Sequence, residues 1–423
     1  MSKDTVVLFR KKDEVVDPLA ELLRRGAREL IGQAVSEEFE MFLQQHAERR
    51  DAEGRVAVVR NGFLPERKIV SGIGPVPVSL PRARDRSDEG VRFHSALVPP
   101  YVRRSKSVDA VLPWLYLKGI STGDMSEALA ALVGKDAAGL SVAVVSRLKA
   151  RWADEYDAWK RASLGKDRWV YLWADGIYSG LRADDQRVCL LVVIGVNERG
   201  QKRLLAIEDG VRESTESWRG VLRDLKVRGL KIPAKLAVGD GALGFWSALE
   251  ELFPETRAQR CWVHKTVNVL NYLPKSVQAK AKSMLHEIWM AEGRADAAVA
   301  FDRFIETFQA KYPKASECLA KDRKSLLAFY DFPAEHWIHI RTSNPIESTF
   351  ATIRHRTDRT KGCVSRSTLL GLVYKLAMSA EKRWHRLRGF ERLAELIAGV
   401  KFVDGVRAQK RIKQNRSVQQ AAA

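Results

Sequence analysis

The segment from Arg168 to Cys261 constrains the fold more than any other part of the chain. Three β-rich apolar runs, WVYLWAD, RVCLLVVIGV and KRLLAIED, follow one another with Gly, Asp and Asn residues between them. This spacing predicts three consecutive antiparallel strands. An amphipathic helix from Ser214 to about Val227, the strand KLAVGD, a helix over residues 242–252 and the short run TRAQRC come next. The predicted element order is therefore β-β-β-α-β-α-β.

This order predicts a mixed α/β protein with a ribonuclease H-like catalytic core. In that fold the fourth strand lies beside the first strand and parallel to it. Asp175 follows the first apolar run, and Asp240 follows the fourth strand between two glycines. A third carboxylate, Glu347, begins a helix beyond a long helical stretch. We expect the three side chains to meet at one edge of the sheet.

Each of these acids has an alternative interpretation when it is taken alone. Asp175 fits a residue that caps a turn, and Asp240-Gly241 is a common turn pair. Asn344-Pro345-Ile346-Glu347 fits an N-cap, a proline at N1 and a glutamate at N3 of a capping box. Three carboxylates within about 4 Å would repel by several kcal/mol at an effective dielectric near 20, so such a cluster requires divalent cations. The combination predicts metal-dependent phosphoryl transfer.

The charge of the chain predicts a polyanionic partner. It carries 72 Lys and Arg against 52 Asp and Glu, with a net charge of +20 and a pI near 9.8. Residues 341–423 contain 18 basic and 6 acidic side chains, so much of the excess lies beside the third carboxylate. A charge run is also the usual sign of a solvated helix face. Next to a predicted phosphoryl-transfer site, binding to a nucleic-acid backbone is the favoured interpretation.

Export and membrane insertion are not expected. The four cysteines are scattered, and the N-terminal sequence MSKDTVVLFRKKDE has no apolar export region. We therefore expect no disulfides and a cytoplasmic location. The longest apolar run, from Val188 to Val196, is far shorter than the roughly 20 residues of a membrane helix.

The N-terminal region is expected to be mainly helical. Amphipathic helices are predicted between residues 17 and 49, and a short hairpin followed by a basic linker between residues 62 and 86. Residues 117–151 predict a helix-turn-helix with helix starts at Ser121 or Thr122 and at Ser141. Its second helix, from Ser141 to Trp152, would present Ser146, Arg147 and Lys149 to DNA. An ordinary helical hairpin is the alternative.

Three blocks of sequence resemble the signature blocks of Mutator-type bacterial insertion-sequence transposases, which carry a DDE active site. The blocks are WADGIYSGLR, VGDGALGFWSALEELFPETRAQRCWVHKTVNVLNYLP and RTSNPIESTFATIRHRTDRTKGC. The resemblance extends upstream through RNGFLPERKIV and FHSALVPPYVRRS and covers most of the chain. It implies that Asp175, Asp240 and Glu347 form the metal-binding triad, and Cys261-x-x-His264 matches the family's Cys/Asp-x-x-His element. One departure is Thr349-Phe350, where many members have Leu-Asn.

The resemblance implies a DNA transposase that binds the terminal inverted repeats of an insertion sequence and cleaves and transfers strands. Two Mg²⁺ ions held by the triad, replaceable by Mn²⁺, would assist in-line displacement. The expected partner is double-stranded DNA, bound by a homo-oligomer in a bacterial, nucleoid-associated setting without membrane. The alternatives are a non-catalytic DNA-binding relic or regulator of the same fold and a structure-specific nuclease.

Two further sets of side chains are candidates for binding. Cys261 and His264 have metal-ligand spacing, and His336 with His339 would complete a tetrahedral zinc site. Alternatively, Cys261 and His264 close the seam between the helical insertion and the core, with His264 near a DNA phosphate. Trp289 would stack on a flipped or terminal base, or else is a core tryptophan. The predicted DNA-binding residues are Arg147, Lys149, His264, Trp289, Arg354, Arg356 and Lys361.

These assignments divide the chain into five regions. The predicted regions are a DNA-binding and oligomerisation region at 1–165, with its helix-turn-helix near 118–152, a first core part at 166–262, a helical insertion at 263–335, a second core part at 336–400 and a basic tail at 401–423.

Overall fold

The computed structural model describes residues 18–87, 89–118, 120, 124–133, 142–183, 186–210, 212–241, 243–358 and 365–408. The chain divides into two compact units, Met1–Leu148 and Lys149–Ala423. Within the described ranges, no helix is both long and apolar enough to cross a membrane. Cys189, Cys261 and Cys318 are free thiols, and Cys363 lies outside the described residues.

The first unit combines helices with two small antiparallel sheets. Its elements are α1 (Pro18–Gln45), β1 (Val58–Phe63), β2 (Arg67–Ser71), β3 (Gly74–Val78), β4 (Pro81–Asp85), α2 (Lys106–Lys118), α3 (Met125–Val133) and the beginning of α4 (Val142–Lys160). The β2-β3 pair is the predicted hairpin. The predicted linker is wrong over β4, because this segment pairs antiparallel with β1, Val58 opposite Asp85 and Phe63 opposite Pro81.

The predicted helix-turn-helix is described only in part. Helix α4 begins one residue after the predicted start at Ser141, but it continues to Lys160, past the predicted end at Trp152. Helix α3 begins at Met125. The predicted starts at Ser121 and Thr122, and the break before α4, lie outside the described residues.

The second unit contains a five-stranded sheet and the helices around it. Its first elements are β5 (Trp169–Ala183), β6 (Gln186–Asn197), β7 (Lys202–Gly210), α5 (Thr215–Val227), β8 (Leu236–Gly239), α6 (Leu243–Leu252) and β9 (Arg257–Arg260). They are followed by α7 (Trp262–Leu270), α8 (Lys275–Met290), α9 (Arg294–Phe308), α10 (Pro313–Ala320), α11 (Arg323–Leu326), α12 (Trp337–Ile340), α13 (Asn344–Asp358), α14 (Arg366–Glu381), α15 (Leu393–Ile397), β10 (Phe402–Val403) and β11 (Val406–Arg407).

The sheet has the strand order β7-β6-β5-β8-β9. Strands β5, β6 and β7 form an antiparallel meander, whereas β8 runs parallel to both β5 and β9. The predicted element order is confirmed, as is the parallel pairing of the first and fourth strands. The sheet is thus mixed, and β5 lies at its centre.

Both faces of the sheet are buried, because successive side chains of a strand point to opposite faces. Tyr171 and Trp173 of β5 pack in one core cluster, together with α8, α9 and α13. Leu172 and Ala174 pack in a second cluster with α5 and α6. This double burial explains why the strands read as nearly continuous apolar runs.

Candidate active site

Asp175 and Asp240 are brought side by side by the pairing of β5 with β8. The last paired residues of the two parallel strands are Ala174 and Gly239, so the aspartates come next on each strand. The sequence predicted that Asp175 follows the end of its strand, but β5 continues beyond it to Ala183. On the other side β6 continues the ladder and pairs Val192 with Asp175. Asp175 therefore lies within β5, at the level where pairing with β8 stops.

Glu347 reaches the same place from α13, which packs against β5 through its buried residues Ile346 and Phe350. The amide groups of Ile346 and Glu347 donate to the Ser343 carbonyl, at 2.9 and 3.2 Å. The predicted capping box is not what holds Glu347. The Ser343 hydroxyl donates to Glu347 Oε1 at 2.8 Å, while the Ser343 amide donates to Cys261 Sγ at 3.2 Å.

The three predicted acids line one cavity of about 330 Å³. Burial, opposed by His264 and supported by the charges of Asp240, Glu213 and Glu347, raises the pKa of Asp175 to about 7. Asp240 Oδ1 is buried and has no hydrogen-bond partner among the described residues. His264 Nδ1 lies 3.9 Å from this oxygen. The site concentrates negative charge that the protein neutralises only in part.

A fourth acid, Glu213, lines this cavity and was missed by sequence reasoning. Its pKa is raised by burial and by the charge of Asp240. Its carboxylate lies against Gly176, where an added Cβ would overlap it. Glu213 comes just before Ser214, the N-cap of α5, whose hydroxyl accepts from the Ser217 amide at 3.1 Å. The capping serine was the available signal, but it does not show that the preceding residue enters the site.

The Cys261-x-x-His264 pair contacts the third carboxylate through Ser343. Ser343 Oγ lies 3.3 Å from Cys261 Sγ and 3.3 Å from His264 Nδ1. His264 Nδ1 is also 3.7 Å from Glu347 Oε1. The hydrogen bond with Cys261 and the charges of Asp240 and Asp175 raise the pKa of His264 to about 9, against the effect of burial. The imidazolium is thus a fixed counter-charge among the acids.

The structure does not bring the predicted zinc ligands together. Cys261 and His264 group with Glu347, all three ligand atoms lying within 4.8 Å of one another. His336 is engaged elsewhere, since Nδ1 faces the Tyr171 hydroxyl and Nε2 faces the Gly389 carbonyl, both at 2.8 Å. His339 Nε2 accepts from the Arg388 amide at 3.2 Å. Cys261 and His264 instead contact Ser343, just before α13.

The predicted DNA-binding residues belong to several different elements. His264 lines the cavity, and Arg147 and Lys149 lie on α4. Trp289 is half-buried against the core, with the Arg341 guanidinium 4.5 Å from its ring centroid and His286 packed edge-on. Arg354 and Arg356 belong to α13, and Lys361 lies outside the described residues. The family departure, Thr349-Phe350, places the buried Phe350 ring in the cavity wall.

The donor set fits a hard divalent cation. Mg²⁺ takes oxygen ligands and is held by one or two carboxylates together with substrate phosphates. The buried, unpartnered Asp240 Oδ1 is an unused ligand atom of this kind. The backbone behind it is fixed, because the Trp246 indole and the Arg260 guanidinium donate to the Asp240 carbonyl at 2.8 and 3.2 Å.

Comparison with known proteins identifies the family. The family model "Transposase, Mutator family" matches residues 2–387. The chain is 57% identical over 284 residues to the transposase for insertion sequence element IST2 of Acidithiobacillus ferrooxidans, covering 67% of this chain and 96% of that protein. It is 49% identical over 295 residues to the transposase for IS6120 of Mycolicibacterium smegmatis, covering 70% and 91%. The chain therefore belongs to the Mutator family of insertion-sequence transposases.

Proposed function

We propose that the protein is a DDE-type transposase that cleaves and joins DNA strands with Mg²⁺ bound by Asp175, Asp240 and Glu347. The observation that carries this proposal is the cavity in which all three acids meet, with Asp240 Oδ1 buried and without a hydrogen bond from any residue that the structure describes. A structural role would leave such an oxygen hydrogen-bonded, because burying an unpaired carboxylate oxygen is costly. A bound cation removes that cost.

The strand arrangement supports a ribonuclease H-like core. An antiparallel meander of three strands, followed by two parallel strands beside the first, is the arrangement expected for that fold. In this proposal residues 166–262 and 336–400 form the core, and residues 263–335 are its helical insertion. Residues 1–165 recognise the terminal repeats and support oligomerisation, and the basic tail at 401–423 binds the DNA backbone.

The residues of the site have separable tasks. When bound, Mg²⁺ would supply Lewis-acid activation of water or of a 3′-hydroxyl and stabilise the leaving oxygen. Ser343 orients Glu347 through their 2.8 Å hydrogen bond, and Trp246 and Arg260 fix the backbone of Asp240. His264 places a positive charge beside Asp240 and Glu347, where the phosphate backbone of the substrate also has to lie. We expect the protein to accept Mn²⁺ in place of Mg²⁺.

The test is Mg²⁺-dependent cleavage and strand transfer on DNA that carries the element's own flanking ends, with Asp240→Asn as the comparison. We expect the variant to bind this DNA as the wild type does and to lose both reactions. If both proteins bind tightly and neither cleaves, the non-catalytic DNA-binding alternative replaces the proposal. Cleavage of branched DNA without regard to its ends would indicate a structure-specific nuclease.

A further inference from the structure

A second cavity, of about 290 Å³, adjoins the catalytic cavity and shares Asp240 with it. Its other walls come from β9, α7 and the segment that ends α10. We call it the α7 cavity, and its principal polar lining residues are Asp240, Arg260, Asn268, Asn271, Tyr272 and Lys321. Its volume is at the small end of the range for ligand sites, about 300 Å³. It can accept a nucleotide unit but not a duplex.

The floor of the α7 cavity is held by ion pairs. Arg260 donates to the Asp240 carbonyl at 3.2 Å and lies 3.4 Å from Asp322. Lys265, which is almost fully buried, pairs with the same Asp322 and donates to the Cys318 carbonyl at 2.8 Å. The Arg260 and Lys265 side chains are therefore held in place at the edge of the cavity, where they contribute positive charge.

The rim of the cavity, in contrast, has polar groups without protein partners. The side chains of Asn268, Asn271, Tyr272 and Lys321 make no hydrogen bond or ion pair with any part of the chain that the structure describes. Tyr272 is 52% exposed, although it is a large aromatic residue. Two amides, a phenol and an ammonium group thus face one small space beside a catalytic acid.

These groups form a path that leaves the catalytic cavity along one face of α7. His264, Asn268 and Asn271 are spaced four and three residues apart, which puts them on the same side of a helix. At 1.5 Å of rise per residue, His264 and Asn271 are about 10 Å apart along the axis. A strand that extends from the reacting phosphate along this face would pass Asn268 first and then Asn271, Tyr272 and Lys321.

We infer that the α7 cavity binds the nucleotide next to the scissile phosphate, on a single DNA strand. Lys321 and the two asparagines contact its phosphate and sugar, and the Tyr272 ring stacks on its base. This matches the general pattern of single-strand sites, which combine cationic grooves with exposed aromatic rings. The inference rests on the proposed function, because it takes the neighbouring cavity as the place where the phosphodiester reacts.

The test measures how a fluorescent oligothymidylate of 12 nucleotides binds to the full chain, in buffer with Ca²⁺ and over a range of salt concentrations. Each phosphate contact on a single strand contributes about 0.7 to the slope of log affinity against log salt. We expect Lys321→Ala to reduce the slope by about 0.7. Lys314→Ala is the matched control, because Lys314 is an exposed lysine on α10 outside the cavity, and its slope should equal that of wild type.

Variants of Tyr272 provide a second, independent test. Loss of a base-stacking ring lowers single-strand affinity about 5- to 100-fold, so Tyr272→Ala should fall in that range and Tyr272→Phe should remain within about twofold of wild type. A 4-thiothymidine probe should crosslink to the tryptic peptide TVNVLNYLPK, residues 266–275. Equal slopes for the two lysine variants, or unchanged affinity in Tyr272→Ala, would overturn the inference. Neither result depends on cleavage, so failure of the proposed function is seen separately.

Discussion

At the scale of single residues, Ser343 is the link between the Cys261-x-x-His264 element and the third carboxylate. Its hydroxyl donates to Glu347 Oε1 at 2.8 Å and lies 3.3 Å from His264 Nδ1. We predict that Ser343→Ala lowers the cleavage rate about 10- to 100-fold and raises the Mg²⁺ concentration needed for half-maximal activity, as loss of a hydrogen bond to a metal ligand does. Cleavage assays over a Mg²⁺ titration measure both effects.

Two comparisons show whether orientation is the cause. Ser343→Thr keeps the hydroxyl and should restore the Mg²⁺ requirement of wild type. Ser348→Ala removes a hydroxyl from α13 that, within the described part of the chain, donates to the Asn344 carbonyl alone, and it should have little effect. A normal Mg²⁺ requirement in Ser343→Ala would show that Glu347 is held by other contacts.

A second residue-scale prediction concerns Gly176. An added Cβ there would overlap the Glu213 carboxylate, so Gly176→Ala must displace Glu213 from the cavity. We expect the variant to fold, because only the end of one side chain has to move, but to lose activity. Cleavage assays and circular dichroism measure the two effects. If Glu213 contributes nothing, the double variant Gly176→Ala, Glu213→Ala would regain wild-type activity, since the overlap is gone.

At the scale of secondary-structure elements, local patterns predicted the second unit well. Apolar runs and capping residues located β5 to β9 and α5, because both faces of the sheet are buried and Ser214 marks a helix start. Contacts distant in sequence were not predictable in this way. The pairing of β4 with β1 joins segments separated by the β2-β3 hairpin. Glu213 enters the site because the connection between β7 and α5 places its carboxylate against Gly176 of β5.

The short helix α12 leads to an element-scale prediction about pH. Burial holds the pKa of His336 below its usual value, and burial with nearby Lys202 lowers that of His339 to about 4. The unfolded chain binds a proton on each imidazole near pH 6.5, whereas the folded chain does not. At these two histidines the unfolded state therefore holds more protons between about pH 6.5 and 4, so their contribution to the free energy of unfolding should fall as pH falls.

Urea unfolding at a series of pH values measures this effect. His339→Gln removes one of the two titrating groups and should flatten the slope of unfolding free energy against pH between about 6.5 and 4, by up to one bound proton. The same slope in both proteins would mean that His339 takes up its proton without cost in the folded state. His336, just before α12, joins β5 to the C-terminal segment through hydrogen bonds with the Tyr171 hydroxyl and the Gly389 carbonyl.

At the scale of the whole molecule, we expect the acid cluster to couple stability to metal binding. Asp175, Glu213, Asp240 and Glu347 share one cavity with a single histidine, so without metal they repel one another. A cation that binds only the folded state raises its stability by mass action. We predict that Mg²⁺ raises the melting temperature of the wild type, measured by scanning calorimetry with chelator and with excess Mg²⁺.

The variant Asp240→Asn separates the effect of charge repulsion in the metal-free protein from the effect of Mg²⁺ binding. Removing the charge relieves repulsion from three acids and loses the attraction of His264 and of the more distant Arg260 and Lys265. Because repulsion from the acids is the larger effect in this proposal, the metal-free variant should melt above the metal-free wild type. A gain of about 1 kcal/mol corresponds to roughly 2–4 °C for a unit of this size. The Mg²⁺-induced shift in melting temperature should nearly disappear.

The control is Glu255→Gln. Glu255 is an exposed acid in the turn before β9, so this variant changes the charge equally and should leave both melting temperatures as in the wild type. A metal-free Asp240→Asn protein less stable than wild type would mean that the carboxylate is a structural group, and the acids would then need a role other than holding cations.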